Sequence, residues 1–196
     1  MQSYVQRILT RQIIDTSGLT GLLSSIVDAT AVNTPGNRIF AADPSGNMVG
    51  FVYAQIQSPT ALAVGVPMYW TDAAHDTVTD TIAQALFYVA SKHSAIQSAA
   101  GVCISTATTN GQYAWIQTCG YLSGVANSVI ATPASTGDVM VLSNAAGTAP
   151  TSDAYTRIGV GTSVTVAEAL TTLYLVTVAT ASPASTVMVM GTCALT

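Results

Sequence analysis

The chain has 196 residues, 49% of them hydrophobic and only 7% charged, with a net charge of −4 at neutral pH. An ordinary soluble domain carries about 25% charged residues, whereas the stretches 93–137 and 169–196 here contain none. That balance argues against a free-standing monomer and, lacking any basic patch, against nucleic-acid binding; it favours a component covered by copies of itself or by another protein.

Residues 1–30 differ from everything that follows. In Ser3–Ile14, Val5, Ile8, Leu9 and Gln12 share a face at helical spacing, while Val5, Arg7, Leu9 and Arg11 share one at strand spacing, and both readings stay open. Gly18 and Gly21 bracket Leu19 before the apolar run 22–27. An apolar segment with two arginines reads as an arm docked on a partner, or as the first element of the domain itself. Residues 1–41 carry Arg7, Arg11 and Arg38 against Asp15 and Asp28, net +1, and the remainder carries Lys92 and Arg157 against seven acids, net −5.

Two turn clusters follow, Asn33–Asn37 and Asp43–Asn47, with a short strand 38–42 between them. A β-rich body (31–196) then gives strands at 48–57 and 66–71, and a loop or hairpin at 72–80. Ile82, Ala85, Leu86, Val89, Ala90, His93 and Ile96 fall at helical spacing, so a helix is expected over 81–96, capped by Asp80 or Thr81, although Leu86–Val89 also fits a strand. Further strands are expected near 101–107, 112–119, 125–132, 138–143, 156–166, 173–178 and 186–190, with Gly120 ending the fourth of the body. Short strands of Val, Thr and Tyr between Gly, Pro and Ser turns indicate an all-β barrel or sandwich.

The body also echoes itself. Tyr53-Ala54-Gln55-Ile56-Gln57 matches Tyr113-Ala114-Trp115-Ile116-Gln117, and the segment 65–74 matches 137–146 in the form Gly-x-x-Met-x-x-[Thr/Ser]-[Asp/Asn]-Ala-Ala. Gly101-Val102 and Gly159-Val160 give a third match in the same order. Two related half-units are one explanation, and chance matching in an Ala/Thr-rich chain is the other. Two copies are too few for a solenoid, which needs at least ~3.

Chemistry-bearing motifs are sparse. Glu168 is the single glutamate and His75 and His93 are the only histidines, so no Glu pair for glycoside hydrolysis is present. No nucleophile elbow, P-loop, dinucleotide fingerprint or His-Glu-x-x-His occurs, and neither enzymatic activity nor a cofactor is expected. Asp72, His75, Asp76 and Asp80 form the richest polar cluster, read as a solvated turn capping the next element in preference to a Ca²⁺ or Zn²⁺ loop, because the Asp-x-Asp-x-Asp-Gly pattern is missing. Cys103, Cys119 and Cys193 are odd in number and lack metal-ligand spacing, so small buried residues are expected in place of a disulfide framework or a zinc site. Tyr53, Tyr69, Trp70, Tyr113, Trp115 and Tyr121 are expected as core or subunit-interface anchors; a sugar-stacking platform is the alternative. No apolar run of ~18 residues marks a transmembrane helix, and Met1–Tyr4 does not open a signal peptide.

Ala99-Ala100-Gly101-Val102, Gly111–Gly120, Gly137-Asp138-Val139-Met140-Val141-Leu142-Ser143 and Arg157-Ile158-Gly159-Val160-Gly161 together resemble a pattern of tailed-bacteriophage capsid decoration (cement) proteins. That pattern has a Gly-Val strand, a Gly-x-Tyr-x-Trp-[Ile/Val]-Gln strand, a Gly-Asp-x-[Leu/Val] strand and a closing Ile-Gly-Val segment, and it covers about residues 65–165. The resemblance implies a β-barrel that forms dimers or trimers on the outside of an icosahedral shell and bridges major capsid subunits. It carries over no catalytic residue, and it places the protein on the virion after synthesis in a bacterial cytoplasm; no nucleic-acid or membrane partner is expected from the charge balance and the lack of a long apolar run. The apolar arm and the helix at 81–96 depart from the simplest members. Tyr4, Val5, Arg7, Ile8, Leu9, Arg11 and Ile13 are then expected to dock on the capsid. A tail or head-fibre component that binds a host glycan through Trp70 or Trp115 is the alternative.

Overall fold

The computed structural model describes residues 22–42, 48–59, 62–81, 84–86, 99–105, 109–126, 139–142, 155–158, 172–178 and 184–189. Within them run β1 (Val27–Asp28), β2 (Arg38–Ala42), β3 (Met48–Ile56), β4 (Pro67–Trp70), β5 (Thr77–Thr79), β6 (Ala99–Cys103), β7 (Tyr113–Ala126), β8 (Val139–Leu142), β9 (Tyr155–Ile158), β10 (Thr172–Val178) and β11 (Ala184–Val189).

The expected barrel is present. β3 pairs with β5, β5 with β4, β4 with β6, β6 with β7, and β7 returns to β3, closing five strands on themselves. Closure removes the open strand edges that would otherwise template aggregation. Among the described strand pairs β3–β5 alone is parallel, because residues 57–76 carry the chain out through β4 before β5 comes back. One edge of β3 is shared: β2 pairs along Met48–Val52, and β5 takes over at Gln55. At the handover the Tyr53 N–H bonds to the Asn37 carbonyl (2.9 Å) and the Gly36 N–H to the Tyr53 carbonyl (2.8 Å), so the Asn33–Asn37 turn finishes what β2 leaves unpaired.

Alternation on β3 and β7 sorts the side chains. Val52, Ala54 and Ile56 join Met68, Trp70, Val78, Ala100, Cys103, Ala114 and Ile116 in one core inside the barrel, with Leu62 from the β3–β4 connection and Val66 packed against it. Burying each of the larger members contributes roughly 1.5–3 kcal/mol. The opposite parity, Phe51 and Tyr53 on β3 with Trp115 and Gln117 on β7, is also buried. Part of its cover comes from the chain before β2: β1 pairs with the start of β7 (Val27↔Ala114, Asp28↔Tyr113) and Leu23 is fully buried. Residues 22–30 of the expected arm thus belong structurally to the barrel wall.

β7 corrects the expected chain path. Gly120 does not end the strand; β7 continues to Ala126, and its second half pairs with β11, starting a second antiparallel sheet in the order β7-β11-β10-β8-β9. The physical reason is a bend. Gly50 pairs with Cys119 and Phe51 with Gln117, leaving Thr118 as an extra residue, and such a bulge bends and twists its strand. Gly120 follows at φ +95°, where a Cβ would also come within 2.6 Å of the Met48 carbonyl oxygen. The buried Gln117 amide nitrogen lies 3.2, 3.2 and 3.0 Å from the carbonyl oxygens of Cys119, Gly120 and Tyr121, bracing the bend from within.

The expected helix at 81–96 lies outside the described residues except for 81 and 84–86. There the Gln84 N–H bonds to the Thr81 carbonyl (2.8 Å) and the Leu86 N–H to the Trp70 carbonyl (2.8 Å), a long-range bond in place of a helical one. The echoed strands are spatial neighbours: Tyr53 pairs with Trp115, Ala54 with Ala114 and Gln55 with Tyr113. The second echo diverges, since β4 lies in the barrel and β8 in the outer sheet.

Candidate functional site

Two polar or aromatic constellations stand out. The first lies on the outside of β3 and β7. The Tyr53 ring packs against Trp115 (centroids 5.2 Å) and stacks on Tyr113 (6.0 Å). Its hydroxyl donates to Asp28 Oδ2 at 2.6 Å and accepts from the Val32 N–H at 3.4 Å. Burial, reinforced by donation to the Asp28 carboxylate, pushes the Tyr53 phenol far above its ordinary range, so it stays protonated and keeps donating. The arrangement latches residues 28–32 onto the barrel wall.

The second constellation is the β4–β5 hairpin loop. His75 sits at φ +56°, its ring stacked on Trp70 at 5.1 Å, and its carbonyl lies 3.3 Å from where a Cβ on Gly36 would stand. Partial burial opposes ionisation of Asp72. Hydrogen bonds with the Asp76 carboxyl, the Asp76 N–H, the Thr77 hydroxyl and the His75 N–H outweigh it and hold Asp72 below its ordinary value. Its carboxylate is thus occupied in closing the turn, with the Asp76 N–H 3.4 Å from Asp72 Oδ1. Asp80 is buried and accepts from the Thr81 hydroxyl at 3.3 Å. Among the described residues no group of three or more His, Cys, Asp or Glu side chains is placed to hold a metal.

The six aromatic anchors separate by face. Trp70 lies in the barrel core and Tyr69 is buried on the opposite parity of β4; Tyr53 and Trp115 are buried on the outside of β3 and β7. Tyr113 is half-buried, and Tyr121, beyond the bend in β7, is 41% exposed. Neither tryptophan therefore offers an exposed stacking face. Tyr4, Val5, Arg7, Ile8, Leu9, Arg11 and Ile13 lie outside the described residues.

Cysteine chemistry departs from the sequence expectation. Cys103 keeps its thiol, which donates to the Ser105 carbonyl at 3.0 Å, in line with a small buried residue. Cys119 is disulfide-bonded, its partner lying outside the described residues. An odd cysteine count gave no pairing signal for Cys119. Asp28 was likewise missed as half of the latch, since a lone acid on a short strand has no sequence signature. Among the described residues no helix is long and apolar enough to cross a membrane. Comparison with known protein families, with curated proteins and with solved structures finds no match.

Proposed function

We propose that the chain is a non-enzymatic structural protein of a bacteriophage virion, bound to the outer capsid surface, where it bridges major capsid subunits and stabilises the shell. The observation that carries this reading is the distribution of charge over the fold. β7, β11, β10 and β8 are consecutive neighbours and contain no Asp, Glu, Lys or Arg. Cores of protein interfaces are depleted of charge in the same way, and a monomer surface built so neutrally is poorly soluble. The closed barrel supplies a rigid base for such a contact, and the decoration-protein resemblance names a setting in which it recurs.

On a symmetric shell a modest contact is repeated at every equivalent position. An interface of roughly 1,000 Å² per copy would resist expansion of the shell at many points at once. Arg7 and Arg11, upstream of the latch, would meet acidic sites on the major capsid protein and set register. The protein would be made in the bacterial cytoplasm and act on the virion, with itself and the capsid protein as partners.

The test is binding to purified shells by a chain lacking residues 1–21, which keeps Leu23, β1 and the Asp28–Tyr53 latch. The reading predicts unchanged circular dichroism and at least a tenfold loss of shell occupancy. Occupancy equal to that of the full chain would remove the arm from the docking mechanism.

A further inference from the structure

The outer sheet joins the barrel through one described ladder. Among the described strand pairs, β7–β11 is the pairing that connects β10, β8 and β9 to the barrel strands. Its register shifts between Ser185 and Val187, and its last pair, Val189 with Gly120, stands at the bend in β7. Cys119 is the residue next to that pair.

Cys119 is disulfide-bonded and 2% exposed. Its sulfur packs against β3, 3.0 Å from where a Cβ on Gly50 would stand, so a glycine there leaves the room it occupies. The chain has three cysteines, and Cys103 keeps a free thiol in the barrel core. Cys193 is the one that remains. It follows Val189, the end of β11, by four residues. Four residues reach up to about 13 Å, and a disulfide needs its Cα atoms within about 7 Å of each other. Val189 already lies opposite the neighbour of Cys119, so the tether is long enough.

We propose that Cys119 bonds to Cys193 and that this bond is a redox-dependent staple fixing the outer sheet to the barrel. It closes a loop that contains β8, β9, β10 and β11, and it ties the end of β11 to the strand that anchors it. Such a cross-link disfavours the open chain by restricting it. With both sulfurs reduced the covalent tie is gone, and β11 can part from β7 with β10, β8 and β9 following. The bond forms by thiol–disulfide exchange with a small disulfide such as oxidised glutathione. One cysteine thiolate attacks it and releases a glutathione thiolate, and the second cysteine thiolate then displaces the other. Two cysteine thiols are oxidised, one glutathione disulfide is reduced to two thiols, and the two protons pass to the leaving thiolates. A cytoplasm keeps thiols reduced, whereas disulfides persist outside it, so the staple is open where the chain is made and closes after release. That timing rests on the virion reading; the pairing and its effect on the sheet do not.

The experiment compares the full-length chain reduced with dithiothreitol and the same chain equilibrated with oxidised glutathione. Free thiols are blocked with iodoacetamide in denaturant before peptide mass mapping. The oxidised chain should give a peptide linking Cys119 to Cys193, with Cys103 alkylated. Hydrogen exchange in β10 and β11 should be at least tenfold faster in the reduced chain, while β3 exchanges equally in both. Cys193→Ser should exchange like the reduced wild type in either buffer, and Cys103→Ala like the wild type. The redox comparison needs no substitution, so a variant that fails to fold does not decide the outcome. A Cys119 thiol that stays alkylated after oxidation, a link between Cys119 and Cys103, or equal exchange in the reduced and oxidised chains overturns the proposal. None of these readouts involves a shell, so their failure leaves the virion reading as it was.

Discussion

Tyr53 shows how one residue can serve both the core and the chain that wraps it. Its ring fills the outer face of β3 against Trp115, and its hydroxyl ties Asp28 and Val32 to the barrel. Tyr53→Phe should keep the packing and lose both hydrogen bonds, costing about 1–2 kcal/mol by urea unfolding. An unchanged midpoint would mean the latch contributes nothing net. Asp72 gives a pH signature in the hairpin loop. Its folded pKa lies below the unfolded value of 3.8, so the hydrogen bonds around it contribute fully above that pH and are lost as pH falls through the folded value. The His75 ring resonances, reporting on the stack with Trp70, should shift below pH 3.8 in the wild type and lose that shift in Asp72→Asn. The sequence offered six tyrosines and tryptophans as candidate anchors, of which Tyr53, Tyr69, Trp70 and Trp115 are buried. Which ones share a face was not legible there, because that depends on strand register, and the latch depends on a contact between residues 25 positions apart.

At the scale of elements, β7 decides the architecture. Seven residues of it belong to the barrel and the rest to the outer sheet, with the bulge at Thr118 and the turn in backbone direction at Gly120 between them. Gly120→Ala meets both a positive φ and the Met48 carbonyl, and should destabilise the chain by about 2–3 kcal/mol. Loss of less than ~0.5 kcal/mol in urea unfolding would show that the bend tolerates a side chain. Most strands were legible, because runs such as Phe51–Ile56 and Leu173–Val178 alternate between well-defined turn residues. Their order was not: the parallel β3–β5 pair and the partition of β7 arise from long-range closure. A glycine after a strand reads locally as a stop, and only the bulge and the Gln117 amide turn it into a bend. The first echo was meaningful in space, since its two strands are paired neighbours, whereas the second echo put one copy in each sheet.

The whole molecule combines a closed barrel with an outer sheet whose strands β7, β11, β10 and β8 carry no charged residue, while β9 carries Arg157. Barrel closure leaves few strand edges open, and under the proposed function the neutral strands of the outer sheet are the contact surface. The composition favours an assembly component; what it could not give is the strand order, which sets the charge-free strands β7, β11, β10 and β8 side by side. Electron cryo-microscopy of particles carrying this chain should show barrel-sized density at two-fold or three-fold positions on the outer capsid surface, contacting two or more major capsid subunits. Density at the tail tip or along a fibre, with the capsid surface bare, would contradict it.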